Sequence, residues 1–279
     1  MKNKVLLSLS LLSLGLLHAC GGGGGGGSGA PAAFAPIGAA PTPAPAASAP
    51  ASGDSGSVSE PFGRSGRARY QLLSVGSQSF GALSQSEQAA SGAMTRLNEN
   101  TLTGASVTKE INGDANFALG RWVAGTVTRT SGAETLTGTD NRAYHYVALN
   151  ELKALPETGS TTCDAGVFTS PTYVGGGSGV MANSGAATGS ATLAFGSEGA
   201  AVAGSLKLMV GDAAGAVNFD TKVKSPSSTA ITGSFLGGGA GAAITLGDHG
   251  SSAYAIAVGY AATLPSGARY MGMAIFRCK

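Results

Sequence analysis

Three short stretches of this 279-residue chain hold residue types that could do chemistry: "LLHAC" at 16–20, "YHY" at 144–146 and "GDHGSS" at 247–252, with two further cysteines at 163 and 278. Asp248, His249 and Ser251 together have the composition of a hydrolytic set. Neighbours on a tight turn cannot aim at one another, however, and a nucleophile, base and orienting acid must each lie within hydrogen-bond reach of the next. His145 alternates with Tyr144 and Tyr146, so on a strand the tyrosines share one face and the histidine takes the other. A half-exposed strand histidine is expected, with a haem or metal role as the alternative. Trp122, the single tryptophan, is expected in the core.

The chain has no G-x-S-x-G elbow, no P-loop, no H-E-x-x-H and no G-x-G-x-x-G opening a helix. Gly175–Gly177 and Gly237–Gly239 sit between strand patterns and read as loops, since a phosphate cradle needs a helix N-terminus behind it. Cys163 and Cys278, with only His145 and His249 elsewhere in the folded part, fit no recognised metal spacing. The reading is a non-enzyme with no cofactor.

Cys20 is explained by its flanks. Lys2 and Lys4 precede an apolar run from Val5 to Leu17, the layout of a secretory signal. That run of about 13 residues is shorter than the ~20 a membrane-spanning helix needs. Leu17-His18-Ala19-Cys20 resembles a bacterial lipobox, in which the cysteine is acylated and becomes the first residue; an ordinary signal peptide is the alternative. Residues 1–19 are therefore expected to be a lipoprotein signal peptide, and Cys20 the lipidation site. Two or three acyl chains, at about 0.8 kcal/mol per buried methylene, hold a protein on a membrane essentially permanently.

From Cys20 to residue 66 the chain is Gly, Ala, Pro and Ser with almost nothing to bury, which predicts a disordered tether. Loss of residues 1–19 removes Lys2 and Lys4, so Lys+Arg falls from 17 to 15 against 15 Asp+Glu. A formally neutral mature chain has no basic face for nucleic acid.

The rest is written in two-residue alternation. In "GAVNFDTKV", Val217, Phe219, Thr221 and Val223 oppose Ala216, Asn218, Asp220 and Lys222. In "AYAIAVGY", Tyr254, Ile256, Val258 and Tyr260 face one way and only Ala or Gly the other. Strands are expected near 116–129, 143–149, 161–168, 189–196, 201–210, 215–223, 229–236, 240–247, 253–260 and 269–277, joined by Gly-, Pro- and Ser-rich turns. Such a meander protects its edges best by closing, which predicts an all-β fold: an antiparallel eight-stranded barrel of up to about ten strands. The barrel domain is expected over 115–279, after a small β-rich subdomain at 67–114 with strands near 68–75 and 101–110 and one helix at 84–97. A transmembrane barrel would need an aromatic girdle and a polar lumen, whereas the large residues here face a packed interior.

With Cys20 acylated, Cys163 and Cys278 form an even pair in an exported protein. Cys163 opens a strand early in the barrel and Cys278 ends the last one. First and last strands of a closed barrel are neighbours, so a disulfide between them is expected.

The "GRW" strand at 120–122, "ALPETGSTTCDAGVFTSPT" at 154–172, a glycine loop and "GSATLAFGSEGAAVAGSLKLMV" at 189–210 resemble, in that order, the barrel domain of transferrin-binding-protein-like surface lipoproteins of Gram-negative bacteria. The resemblance covers the leader and about residues 115–279. It implies an eight-stranded barrel beside a flatter handle-like subdomain, displayed at the outer membrane as a binding module. Ligand contacts in that family come from variable loops, so no ligand-binding residue transfers. The C-terminal "SGARYMGMAIFRCK" departs from the family's glycine- and phenylalanine-rich ending, and neither transferrin nor heparin is implied as ligand.

The expectation is thus an outer-membrane lipoprotein, on the cell surface rather than facing the periplasm, whose barrel captures a protein or an iron- or haem-related ligand. The alternatives are a lipocalin-like carrier of a small hydrophobic molecule and a structural envelope lipoprotein. A barrel packed with Phe195, Phe219, Phe235, Tyr254 and Ile256 excludes a cargo; a hollow one, lined by the Ala/Gly face of 253–261, permits it.

Overall fold

The computed structural model describes residues 53–177 and 185–279. The expected signal peptide, Cys20 and the tether up to residue 52 lie outside them. The fold is all-β, with one 3₁₀ turn at Phe235–Gly237 and no α-helix among the described residues.

Residues 56–150 make a nine-stranded sheet. Its strands are β1 (Gly56–Val58), β2 (Ala68–Ser74), β3 (Ser77–Ala82), β4 (Ser86–Gln88), β5 (Met94–Leu97), β6 (Asn100–Asp114), β7 (Phe117–Arg129), β8 (Gly132–Thr137) and β9 (Tyr144–Asn150). They run in the order β3-β2-β9-β7-β6-β5-β4, with β8 on β7 and β1 parallel to β6. Order therefore begins before residue 67. Asp54 accepts hydrogen bonds from the Thr108 amide (2.7 Å) and the Ser91 hydroxyl (2.6 Å), which seat β1 against β6. The boundary expected at 114/115 falls in the turn of the β6–β7 hairpin, whose strands pair within this one sheet.

The helix expected at 84–97 is instead the β4–β5 hairpin. Gly92, at φ +87°, reverses the chain after Ala89 accepts its amide, and a left-handed residue at that point ends any helical run. The Ser84 and Gln85 amides are drawn to the side chain of Asn98 rather than to a helical carbonyl.

The second half contributes β10 (Gly159–Thr162), β11 (Val167–Phe168), β12 (Thr172–Gly175), β13 (Ala186–Gly196), β14 (Gly199–Val210), β15 (Ala213–Val223), β16 (Thr229–Gly233), β17 (Gly241–Asp248), β18 (Tyr254–Thr263) and β19 (Arg269–Cys278). One sheet runs β10-β13-β14-β15; the other runs β11-β19-β18-β17-β16, with β12 also on β19. The Thr162 and Lys279 backbones exchange hydrogen bonds (3.1 and 2.9 Å), and Cys163 bridges Cys278, so β10 carries the first sheet onto the end of the second. Together they form a curled, half-barrel wall. The ladders reach from β15 round to β16, and no ladder joins those two among the described residues.

This wall encloses one core to which both sheets contribute, including Leu193, Val202, Leu208 and Phe219 from one and Ile244, Ile256, Tyr260 and Phe276 from the other. Full burial of each such side chain is worth about 1.5–3 kcal/mol. β13, β14 and β15 alternate exposed and buried positions, as a strand with one wet face must. β17, β18 and β19 are buried on both faces. Their outer face, Ala243, Ala255, Ala257, Ala261, Met271, Met273 and Ile275, packs on Leu73, Phe117, Leu119, Val147 and Leu149 of the first sheet. The Ala/Gly face of 253–261 is thus a flat seat for a second sheet, and neither lines a cavity nor meets solvent. The first sheet's opposite face surrounds Trp122, Tyr144, Tyr146 and Leu97.

Candidate binding surface

His145 is fully buried, against the expectation of a half-exposed residue. It does point away from Tyr144 and Tyr146, but the face it takes is the junction between the two halves. Its Nδ1 lies 2.7 Å from the Thr169 hydroxyl and its Nε2 2.7 Å from that of Thr172, both buried. Desolvation, reinforced by the nearby Arg121 guanidinium, holds its pKa well below the ordinary value of 6.5, so the ring is neutral. Both nitrogens are engaged within the protein. Beside it Arg121 grips Glu110 with two bonds of 2.7 Å, and Glu110 also accepts the Ser170 hydroxyl at 3.0 Å. Thr169 receives the Met273 amide (2.9 Å), which ties this network to β19. A network so fully partnered fixes how the two halves meet.

Asp248, His249 and Ser251 do not form a relay. The Asp248 carboxylate accepts the Gly250 amide (2.8 Å) and shapes the β17–β18 turn, while Ser251 is exposed. His249 turns to Asp114, 3.6 Å away, and stacks at a tilt on Phe117 with ring centroids 5.8 Å apart. Trp122 is in the core, where its indole N–H donates to the Met94 carbonyl at 2.7 Å.

Cys163 and Cys278 are joined as a disulfide, closing 115 residues of chain. Next to it Asp164 accepts the Arg277 amide (3.0 Å) and guanidinium (2.7 Å). Burial works to raise the Asp164 pKa, but those bonds and the Gly166 amide outweigh it and hold the carboxyl below its ordinary range.

Of the five residues expected to fill the barrel, Phe195, Phe219 and Ile256 are buried in the enclosed core, and Tyr254 packs against it with its ring 4.7 Å from that of Phe195. Phe235 is buried instead between the two halves, beside Leu73 and Ala243. The strand expected over 229–236 stops at Gly233, and the 3₁₀ turn then directs Phe235 inward and Leu236 outward.

That turn forms one wall of a cleft of about 670 Å³ at the free edge of the first sheet. The β2–β3 hairpin and Phe80 form the other wall, with Val174 and Met271 between them. Leu236 is 63% exposed and Val75 36%, high values for large apolar side chains. Arg269 is the single charged residue of the lining. Its Nη1 donates to the Gly238 carbonyl at 2.6 Å, and no carboxylate pairs with it among the described residues. Two-residue alternation does not reveal this cleft, because it is assembled from a hairpin, a glycine-rich turn and a strand end some 190 residues apart in sequence. The one usable signal is Leu236 within "FLGGG", an apolar residue inside a turn composition. Comparisons with protein-family models, with curated proteins and with solved structures gave no match.

Proposed function

We propose that this chain is a non-enzymatic outer-membrane lipoprotein, anchored through acylated Cys20 and transferrin-binding-protein-like in plan, that presents its folded part to a protein partner. In this reading β10 and β13 to β19 are the eight strands of a closed barrel, with β15 meeting β16 across the Ser225–Ser228 turn. One core shared by Val217 and Val223 of β15 and Ala230 of β16 supports that closure.

The observation that carries the choice of partner is the filled interior. Phe195, Phe219, Ile256 and Tyr260 occupy the space in which a lipocalin-like carrier would hold its cargo. Gly272 makes room there for a tyrosine, since a side-chain carbon on it would come within 2.4 Å of the Tyr260 hydroxyl. Haem is disfavoured on similar grounds, because both nitrogens of His145 are committed to threonines. Recognition then falls to the outside of the molecule.

Native mass spectrometry of the chain extracted from membranes in mild detergent tests this reading. The expected mass is polypeptide plus acyl groups alone. A stoichiometric hydrophobic adduct that survives extraction would restore the carrier.

A further inference from the structure

We propose that the free edge of β3, with the cleft beside it, is a docking site for an extended, acidic segment of a partner protein that adds as a further strand to the first sheet. The proposal rests on the protein-binding reading above and names its surface.

Among the described residues β3 is the last strand at its end of the sheet and pairs only with β2. The Leu83 amide donates to the Ala68 carbonyl at 2.7 Å, and the register continues from that pair through Tyr70/Gly81 and Leu72/Ser79. Antiparallel geometry therefore turns the backbone N–H and C=O of Gln78 and Phe80 away from β2, toward the open side. Natural edges are normally blunted by lysine, proline, a bulge or a covering loop. "SQSFGA" has no charge and no proline, its pairing with β2 is regular, and it is only half-buried. Such an edge offers main-chain hydrogen bonds to an incoming strand.

The side chains beside it state what that strand should carry. Gln78 and Phe80 lie on the same face as Gln71, whose amide bonds the Ala243 carbonyl and Thr245 hydroxyl across the junction. An added strand would direct every second side chain onto this face, over Val174, Met271 and the exposed Leu236. Apolar residues would bury there. Arg269, without a carboxylate of its own, calls for an Asp or Glu on the partner. The two most exposed apolar groups of the cleft, an unblunted edge and an unpaired cation thus converge on one place.

In-cell photo-crosslinking of the full-length, anchored chain tests this, with p-benzoylphenylalanine at position 236 and, separately, at positions 227 and 251 on exposed turns. The expected result is a crosslink from 236 to a protein segment with alternating apolar residues and an Asp or Glu. Gln78→Pro, which removes the outward N–H, and Arg269→Glu should each lower its yield roughly tenfold, the equivalent of about 1.4 kcal/mol. Gln78→Ala, which gives up the 2.9 Å bond from Gln78 Nε2 to the Phe235 carbonyl but keeps the backbone N–H, should lower it less than Gln78→Pro. Circular dichroism of each purified variant verifies folding. Crosslinks from 227 or 251 alone would overturn this site while leaving a protein-binding module in place, and no crosslink at any position would remove both. A crosslink from 236 that survives Gln78→Pro, or one whose partner peptide belongs to this same chain, would overturn the docking assignment.

Discussion

A side-chain carbon placed on Gly259 of β18 would lie 2.6 Å from Cδ1 of Leu73 on β2, and equally close to Oε1 of the Gln71 side chain. The two halves of the protein approach so closely at this point because β18 presents only small residues outward. Gly259→Val should destabilise the fold by about 1–3 kcal/mol, the usual cost of overpacking. Leu73→Ala opens a cavity when made alone, and in the Gly259→Val background it should cost less than in the wild type. Urea unfolding of the two single variants and the double variant measures the coupling. Additive costs would mean that the two residues do not share this junction.

His145 predicts acid sensitivity. Its folded pKa is depressed, so below about pH 6.5 the unfolded chain takes up a proton that the folded chain refuses. Stability is therefore complete above the unfolded value and falls as pH drops, at a limiting slope of about 1.4 kcal/mol per pH unit for one proton. Asp164 contributes only at lower pH, since its depressed carboxyl costs stability once the medium approaches the ordinary carboxylate range. Denaturant titrations at pH 7 and pH 5 should show a loss in the wild type and a smaller one in His145→Gln. Equal losses in both would assign the acid sensitivity to other groups.

The Cys163–Cys278 disulfide closes 115 residues of chain and joins β10 to β19, where the two sheets of the half-barrel wall meet. In the chain-entropy treatment such a closure is worth up to about 4–5 kcal/mol. Reduction, or Cys163→Ser with Cys278→Ser, should lower the melting temperature by several degrees while the circular dichroism at 20 °C stays that of a β protein. An unchanged melting temperature on reduction would mean that the β10–β19 junction is held by its backbone bonds alone.

The alternation in "GAVNFDTKV" and "AYAIAVGY" was enough to place β15 and β18, because a period of two survives wherever one face is apolar and the other is not. It also separated the face that lines the enclosed core from the opposite face. It could not say what that opposite face meets: Ala255, Ala257 and Gly259 read equally well as a solvent face, a cavity wall or a seat for another sheet. Only the register of Leu73 and Leu149 across from them decides, and that is a long-range property. The hairpin at 84–97 was missed for a local reason, since the choice between helix and turn hinged on the backbone angle of Gly92. The disulfide was legible from cysteine parity and strand order. The β3 cleft was not, because Val75, Leu236 and Arg269 have no sequence relationship to one another.

The central claim, an anchored protein displayed for capture, is tested most directly by protease shaving of intact cells, with mass spectrometry of released and retained peptides and a Cys20→Ala variant as the unanchored control. The account predicts that peptides from 67–279 are released from cells carrying the wild-type chain and that the variant leaves the membrane fraction. Peptides that remain protected while the chain stays membrane-bound would place the folded part on the periplasmic side and contradict capture at the cell surface.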